Sequence, residues 1–279
     1  LHTHTTFSDG AFEPKVYLAE AITRQYDFIG FSDHAPIPGN PVEWAMPLHK
    51  LISYVETIRA LKKEFGNRIQ ILAGLEVDYI PGVITPDHRS LRSLGLDFII
   101  GAVHFLEKFA EGRHCSIDDP ADFRAGIQKI YKNDIRAVVT DYYRLIQDMV
   151  NDHTPDIVAH LDRIKMHNPD NLLWSEDEGW YQDLIADTLK AIRDKGIVME
   201  INTKGMYRDR KLEPYPSYWI IREAVNMGIP IHLAADAHHP ADLTGAFSTV
   251  KKRLQVEGID HDMSVDPFIG EKAIAGVFN

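Results

Sequence analysis

Short apolar runs in this chain repeatedly end on a histidine or an acid. Leu1 precedes His2 and His4, and Phe28-Ile-Gly-Phe31 leads to Asp33 and His34. Ile69 to Gly74 leads to Glu76, Phe98 to Val103 to His104, Ile157-Val-Ala159 to His160, and Ile231 to Ala235 to Asp236 and His238. Strand-like runs that each carry a metal-ligating side chain at the C-terminal tip constrain topology strongly, because the tips must meet. Parallel strands joined by helices put all their C-terminal ends on one side, and closing the sheet gathers those ends around one mouth.

The rest of the pattern agrees. Strand-like runs near 1–3, 26–32, 69–77, 96–104, 156–161, 197–202 and 230–236 alternate with helical stretches at 14–25, 47–65, 86–94, 120–151, 180–195, 216–228 and 240–254. Over 47–65 the residues Leu48, Leu51, Ile52, Val55, Ile58, Leu61 and Phe65 recur at three or four, the period of a helix. Pro14, Pro47, Pro120 and Pro240 stand where a first helical turn tolerates proline. Segments 35–47, 105–119 and 213–216 read as loops. The expected fold is α/β: a distorted (β/α)7 barrel formed by residues 1–279 as one domain, with a metal site at the C-terminal ends of its strands.

Composition narrows the function. A net charge of −11 argues against general polyanion binding, which rests on basic phosphate contacts. The single Cys115 allows no intrachain disulfide, and a lone thiol in a polar loop gives no support for a nucleophile. There is no run of about 18 apolar residues to span a membrane and no basic-then-apolar leader, so a cytoplasmic protein is expected. The chain opens on Leu1 rather than Met, so a residue or two upstream is expected.

The candidate ligands are His2, His4, Asp9, His34, Glu76, His104, His160, Asp236 and His238. His2 and His4 share one face of an extended segment, as do Asp236 and His238. Asp9 has an alternative reading as a turn acid before Gly10. Asp33 is either a ligand or the acceptor of a ligand histidine's ring N–H. Glu76 ends an apolar strand, where a buried carboxylate needs a partner, and a carboxylate can bridge two ions. His232 reads as packing and His239 as a neighbour outside the pattern. His49, His88, His114, His153, His167 and His261 read as lying on helices or loops, as solvated or helical surface residues. Nine nitrogen and oxygen ligands without a thiolate exceed the three or four of one zinc site and suit two or three ions of Zn, Fe, Mn or Ni.

In order, these motifs (His-x-His, Asp-His, a strand-end Glu, two strand-end His and a final Asp-x-His) resemble those of the polymerase and histidinol phosphatase (PHP) superfamily. Gly101-Ala-Val-His-Phe105, Ala159-His-Leu-Asp162, Glu200-Ile-Asn-Thr203 and Tyr215-Pro-Ser217 are most similar to its histidinol-phosphate phosphatase branch. The resemblance covers essentially the whole chain. It implies a distorted seven-stranded barrel and a trinuclear centre of Zn, Fe or Mn. His2, His4, Glu76 and Asp236 would hold one ion, Glu76 with His104 and His160 a second, and Asp9, His34 and His238 a third. It also implies hydrolysis of L-histidinol phosphate by a metal-bridging hydroxide, with Glu76, Asp236 and His238 as the catalytic set.

Arg163, Lys204 and Arg208 follow ligand or strand-end motifs and are candidate grips for the phosphate. Asp162 is a candidate to orient His160 or a substrate amine, which Asp118 and Asp119 could also meet. The expected partner is a small phosphorylated substrate, with neither nucleic acid nor membrane, for a monomer or homodimer. A phosphoesterase of the same superfamily acting on nucleotides is the alternative. A purely structural metal protein fits poorly, because structural zinc sites are closed and rich in thiolate.

Overall fold

The computed structural model describes residues 1–39 and 42–259, so His261 lies outside the described residues. Helix α1 (Pro14–Thr23) starts on its proline and leads to strand β1 (Phe28–Phe31). A 3-10 turn at 48–50 then opens into α2 (Leu51–Phe65). Leu51, Tyr54, Val55, Ile58 and Leu61 form the buried stripe of α2, whereas Leu48 and Ile52 of the periodic set are exposed. Next come β2 (Gln70–Asp78), the single turn α3 (Arg89–Arg92) and β3 (Phe98–Ala102). An antiparallel hairpin, β4 (Phe105–Lys108) with β5 (His114–Ser116), precedes α4 (Pro120–Lys129) and α5 (Ile135–Asp148). The chain continues through β6 (Ile157–Val158), α6 (Gly179–Lys195), β7 (Val198–Asn202), α7 (Lys204–Arg208), α8 (Tyr218–Asn226), β8 (Ile231–Ala234) and α9 (Phe247–Val256).

Strands β1, β2, β3, β6, β7 and β8 lie in that order in one sheet, and every neighbouring pair is parallel. The first residues join its two ends. The His4 amide donates to the carbonyl of Ala237 at 2.9 Å, and the Ala237 amide donates to that of His2 at 3.1 Å. On the other flank the Ser32 amide donates to the carbonyl of Thr3 at 2.9 Å. Residues 2–4 are therefore the seventh stave, held by a bridge at Thr3 rather than by a full ladder. Gly30 permits this closure: a Cβ there would stand 2.8 Å from the Leu1 side chain.

Several expected boundaries shift for local reasons. The stretch 120–151 is two helices, because Lys132 and Asn133 turn left-handed at φ 55° and 66°. Asp134 then caps α5 by accepting the Ala137 amide. An apolar period carries no mark of such a break. The stretch 240–254 is likewise divided, by a left-handed Ala246. Segment 105–119 holds a hairpin where a loop was expected, and the helix expected at 86–94 is one turn.

The core has an outer and an inner part. Two large clusters pack the helices against the outside of the sheet. A third, made of Leu72, Phe98, Ile100, Ala102, Ile157, Ala159 and Val198 with Leu1 against it, fills the inside. These are alternate residues of their strands, as the two-residue period requires. Among the described residues no helix is long and apolar enough to cross a membrane.

Candidate metal centre

The same alternation that builds the apolar floor of the barrel also supplies its mouth. Beyond Leu72 on the inner face of β2 come Glu76 and Asp78. His104 follows Ala102, Glu200 and Asn202 follow Val198, and Asp236 follows Ala234. All are buried, as are His2, His4 and His34. His160 does not obey this parity. Ile157 and Ala159 face inward, so His160 should face out, yet its backbone twists to φ 20°. Its Nε2 thereby comes within 3.1 Å of Glu76 Oε1. Asp236 sits at φ 52°, a left-handed conformation that Asp tolerates better than most residues.

Glu76 is the hub. Its Oε2 lies 2.9 Å from His34 Nδ1, 3.2 Å from His2 Nε2 and 3.4 Å from His4 Nε2. Its Oε1 faces His160 at 3.1 Å and His104 Nε2 at 3.7 Å, and those two imidazoles are 3.2 Å apart. Asp236 Oδ1 is 3.2 Å from His4 Nε2 and 3.8 Å from His2 Nε2. On the outer side Asp9 Oδ2 is 3.0 Å from His238 Nε2, while Asp9 Oδ1 is 3.9 Å from His34 Nε2. The loop that carries Asp9 turns at Gly10, where a Cβ would stand 2.1 Å from the His4 carbonyl oxygen. The structure thus brings all nine candidate ligands to one mouth.

Their unpaired atoms show what the cluster can hold. His2 Nε2, both ring nitrogens of His4, His34 Nδ1 and Glu76 Oε2 are buried and make no hydrogen bond, although they crowd within ion-pair distance. Buried polar atoms are normally satisfied, and orphans ask for an unseen partner. Convergent orphans of imidazole and carboxylate suit divalent cations. Three overlapping groups have the spacing of an ion site: His2, His4 and Glu76; His34, Glu76 and His104; and His4, Asp9, His34 and His238.

The electrostatics agree. Burial pushes the Glu76 carboxyl up, but the charges of His34 and His2 outweigh it and hold the group well below the usual carboxylate range. Asp236 is held low in the same way, with Lys204 the largest opposing charge. Burial, aided by His238 and His34, drives His4 down to about 3, so its ring is neutral. His104 moves the other way: burial opposes its charge, yet Asp78 and Asp118 raise it to about 9. This excess of ionised acid draws protons to nearby rings and would draw a divalent cation more strongly.

Two supporting acids escaped the sequence reading. Asp78 Oδ1 accepts from His104 Nδ1 at 2.9 Å. Glu200 Oε1 meets His2 Nδ1 at 2.5 Å, and its Oε2 accepts from the His160 amide at 2.8 Å and from Asn202 Nδ2 at 3.1 Å. Such partners fix the ring and its tautomer. The available signal was an acid at an inward position of an apolar strand, two residues after Glu76 in one case and inside Val198-Met-Glu-Ile-Asn202 in the other.

Other expected roles change. Asp33 receives no ligand ring. Its parity is that of Ile29 and Phe31, outside the barrel, and it accepts from the Thr5 amide at 2.8 Å and the Ser8 hydroxyl at 2.7 Å. It thereby holds the loop that presents Asp9. Asp162 does not orient His160: its carboxylate takes the Ser217 amide at 2.9 Å and Lys165 Nζ at 2.9 Å. Asp118 reaches the site, pairing with Arg163 Nε at 2.8 Å and lying 4.0 Å from His104 Nε2. Asp119 is exposed and caps α4. Lys204 Nζ is 3.3 Å from Asp236 Oδ1 and 3.2 Å from His238 Nε2, whereas Arg208 is exposed at the end of α7. His167 is not solvated: it stacks on Phe123 with centroids 3.9 Å apart and bonds the Ile117 carbonyl. His232 is buried, and His239 caps the turn at 240–242.

Comparison with known proteins gives this arrangement a family. The PHP domain model matches residues 1–204. The histidinol-phosphatase of Bacillus subtilis is 28% identical over 267 residues, 90% of this chain and 97% of that one. A solved structure from Listeria monocytogenes superposes with a TM-score of 0.76 at 21% identity, covering 89% of this chain and 98% of its own. The histidinol phosphate phosphatase of Lactococcus lactis, solved with zinc, L-histidinol and phosphate, superposes with a TM-score of 0.65 at 23% identity, covering 90% and 91%. At these identities the superpositions establish the fold.

Proposed function

Since this chain belongs to the PHP domain family, we propose that it is a divalent-metal-dependent phosphomonoester hydrolase that converts L-histidinol phosphate and water to L-histidinol and phosphate. The observation that carries the reading is the convergence of orphaned buried imidazole and carboxylate atoms on Glu76. Relatives named for this activity match nearly the whole chain, which points to histidinol phosphate within the family.

The centre would take two or three ions of Zn, Fe or Mn. His2, His4, Glu76 and Asp236 would hold one. Glu76, His104 and His160 would hold the second, and Asp9, His34 and His238 the third. Bound ions of this kind lower the pKa of water and neutralise the phosphoryl charge. The protein's part is placement. Glu76, whose two oxygens face different imidazoles, sets the spacing between the first two groups, and with Asp236 and His238 it makes up the catalytic set. Asp78 and Glu200 keep the rings of His104 and His2 in register. Arg163, whose Nε is tied to Asp118, and Lys204 offer cationic N–H groups to the phosphoryl oxygens as charge builds on the leaving alkoxide. Asp118 also gives the substrate's amino cation an acid to face.

The test is phosphate release by the Zn²⁺- or Mn²⁺-loaded protein across histidinol phosphate, nucleotides and sugar phosphates. A kcat/KM for histidinol phosphate orders of magnitude above the rest is expected. A preference for nucleotides would overturn the substrate and leave the metal centre standing.

A further inference from the structure

His238 is held in one tautomer by its surroundings. Its Nδ1 is 2.9 Å from the backbone carbonyl of Asp236, an atom that can only accept. In the neutral ring Nδ1 therefore carries the proton, and Nε2 carries the single lone pair. That lone pair faces the ammonium of Lys204 at 3.2 Å and also Asp9 Oδ2 at 3.0 Å. A carboxylate oxygen cannot donate to it, whereas a cation can satisfy the pair. Lys204 is such a cation, and its Nζ also reaches Asp236 Oδ1 at 3.3 Å.

One lone pair serves one partner. Either Lys204 donates to His238 Nε2 or an ion binds there. A divalent charge a few ångströms from an ammonium in a poorly solvated site is also strongly disfavoured. Lys204 is the first residue of α7, and its side chain is 15% exposed, so it has a way out to solvent. We propose that Lys204 is a built-in competitor for the ion at Asp9, His34 and His238. Its ammonium leaves His238 when that ion binds and is drawn off by a phosphoryl oxygen. Occupancy of this outer site is then coupled to phosphate binding. Lys204 also pairs with Asp236 Oδ1, but that inner group keeps His2, His4 and Glu76, whereas the outer group loses one of its three ligands. This inference rests on the ligand assignment proposed above but not on the identity of the substrate.

The experiment follows the loss of ions from the Zn²⁺-loaded protein into excess chromogenic chelator. The native chain is expected to release one ion per chain in a fast phase. In Lys204→Met that phase slows by about tenfold or more, within the usual range of coupling between sites, while Lys204→Arg, which keeps the charge, releases as the native chain does. Inorganic phosphate slows the fast phase by a larger factor in the native chain than in Lys204→Met. Circular dichroism checks folding, and Lys204→Gln carries the same test if the Met variant is unfolded. A fast phase unchanged or quicker in both neutral variants overturns the competition. Equal phosphate factors in native and variant chains overturn the coupling. Failure of the histidinol phosphate assay alongside the expected release phases would sink the substrate reading and leave Lys204 as the competitor.

Discussion

The floor and the mouth of this barrel are built by the same strands on the same inner face, a few residues apart. At the floor Leu72, Phe98, Ile100, Ile157 and Val198 are packed and satisfied. At the mouth Glu76, His104 and Glu200 continue those faces, equally buried, but several atoms there and on neighbouring rings have no partner. Burial of apolar area stabilises the floor. Burial of unpaired imidazole and carboxylate costs stability at the mouth until a cation satisfies it. One strand therefore carries a stabilising half and a functional half, and substitutions should separate them.

The largest effect should come from Glu76→Gln. With its carboxylate charge gone, the two inner ion groups lose their shared member, so turnover should fall to background and metal content should drop by elemental analysis. Thermal stability of the chelated protein should fall, because Glu76 is the buried charge that the rings of His34 and His2 face. A variant with native metal content would break the assignment of Glu76 as hub. On the floor, Ile100→Ala should cost about 2–5 kcal/mol in denaturant unfolding, the usual range for a buried large-to-small change. Its folded fraction should keep native kcat. A large loss of kcat at full folding would show that floor and mouth are not separable.

Glu200→Gln tests the layer between them. Loss of a supporting carboxylate should weaken metal affinity by about 10–100-fold. The loss should reach both the His2 and His160 groups, which Glu200 touches, whereas Asp78→Asn should loosen only the His104 group. Competitive zinc titration reads both, and identical profiles would contradict the distinction. The smallest effect belongs to Asp119→Ala, an exposed helix cap whose loss should cost about 1 kcal/mol with activity intact. A fall in activity there would return Asp119 to the substrate pocket.

Much of the centre was legible because strand periodicity is a local rule. His2 and His4, or Asp236 and His238, at i and i+2 share a face whatever surrounds them. Asp33 and His34 cannot share one, so only His34 turns inward. Where the chain leaves regular geometry, the rule gives no guidance. His160 points inward only because its backbone departs from the strand conformation. The long helix expected over 120–151 breaks at two left-handed residues that no apolar pattern marks.

By itself the sequence determined the parallel alternation of strands and helices, the set of strand-end candidate ligands and the family to which the chain belongs. These are properties of spacing and residue type along one segment at a time. Only the tertiary structure decided that residues 2–4 close the sheet against Ala237 and Ser32. It also decided that Glu76 is the hub, that Asp78 and Glu200 support the rings, and that Lys204 rather than Arg208 stands beside the candidate ligands. Those relations join residues up to about two hundred positions apart, such as His2 and Glu200. Nothing local in either segment records the other, because the contact exists only once the barrel has closed.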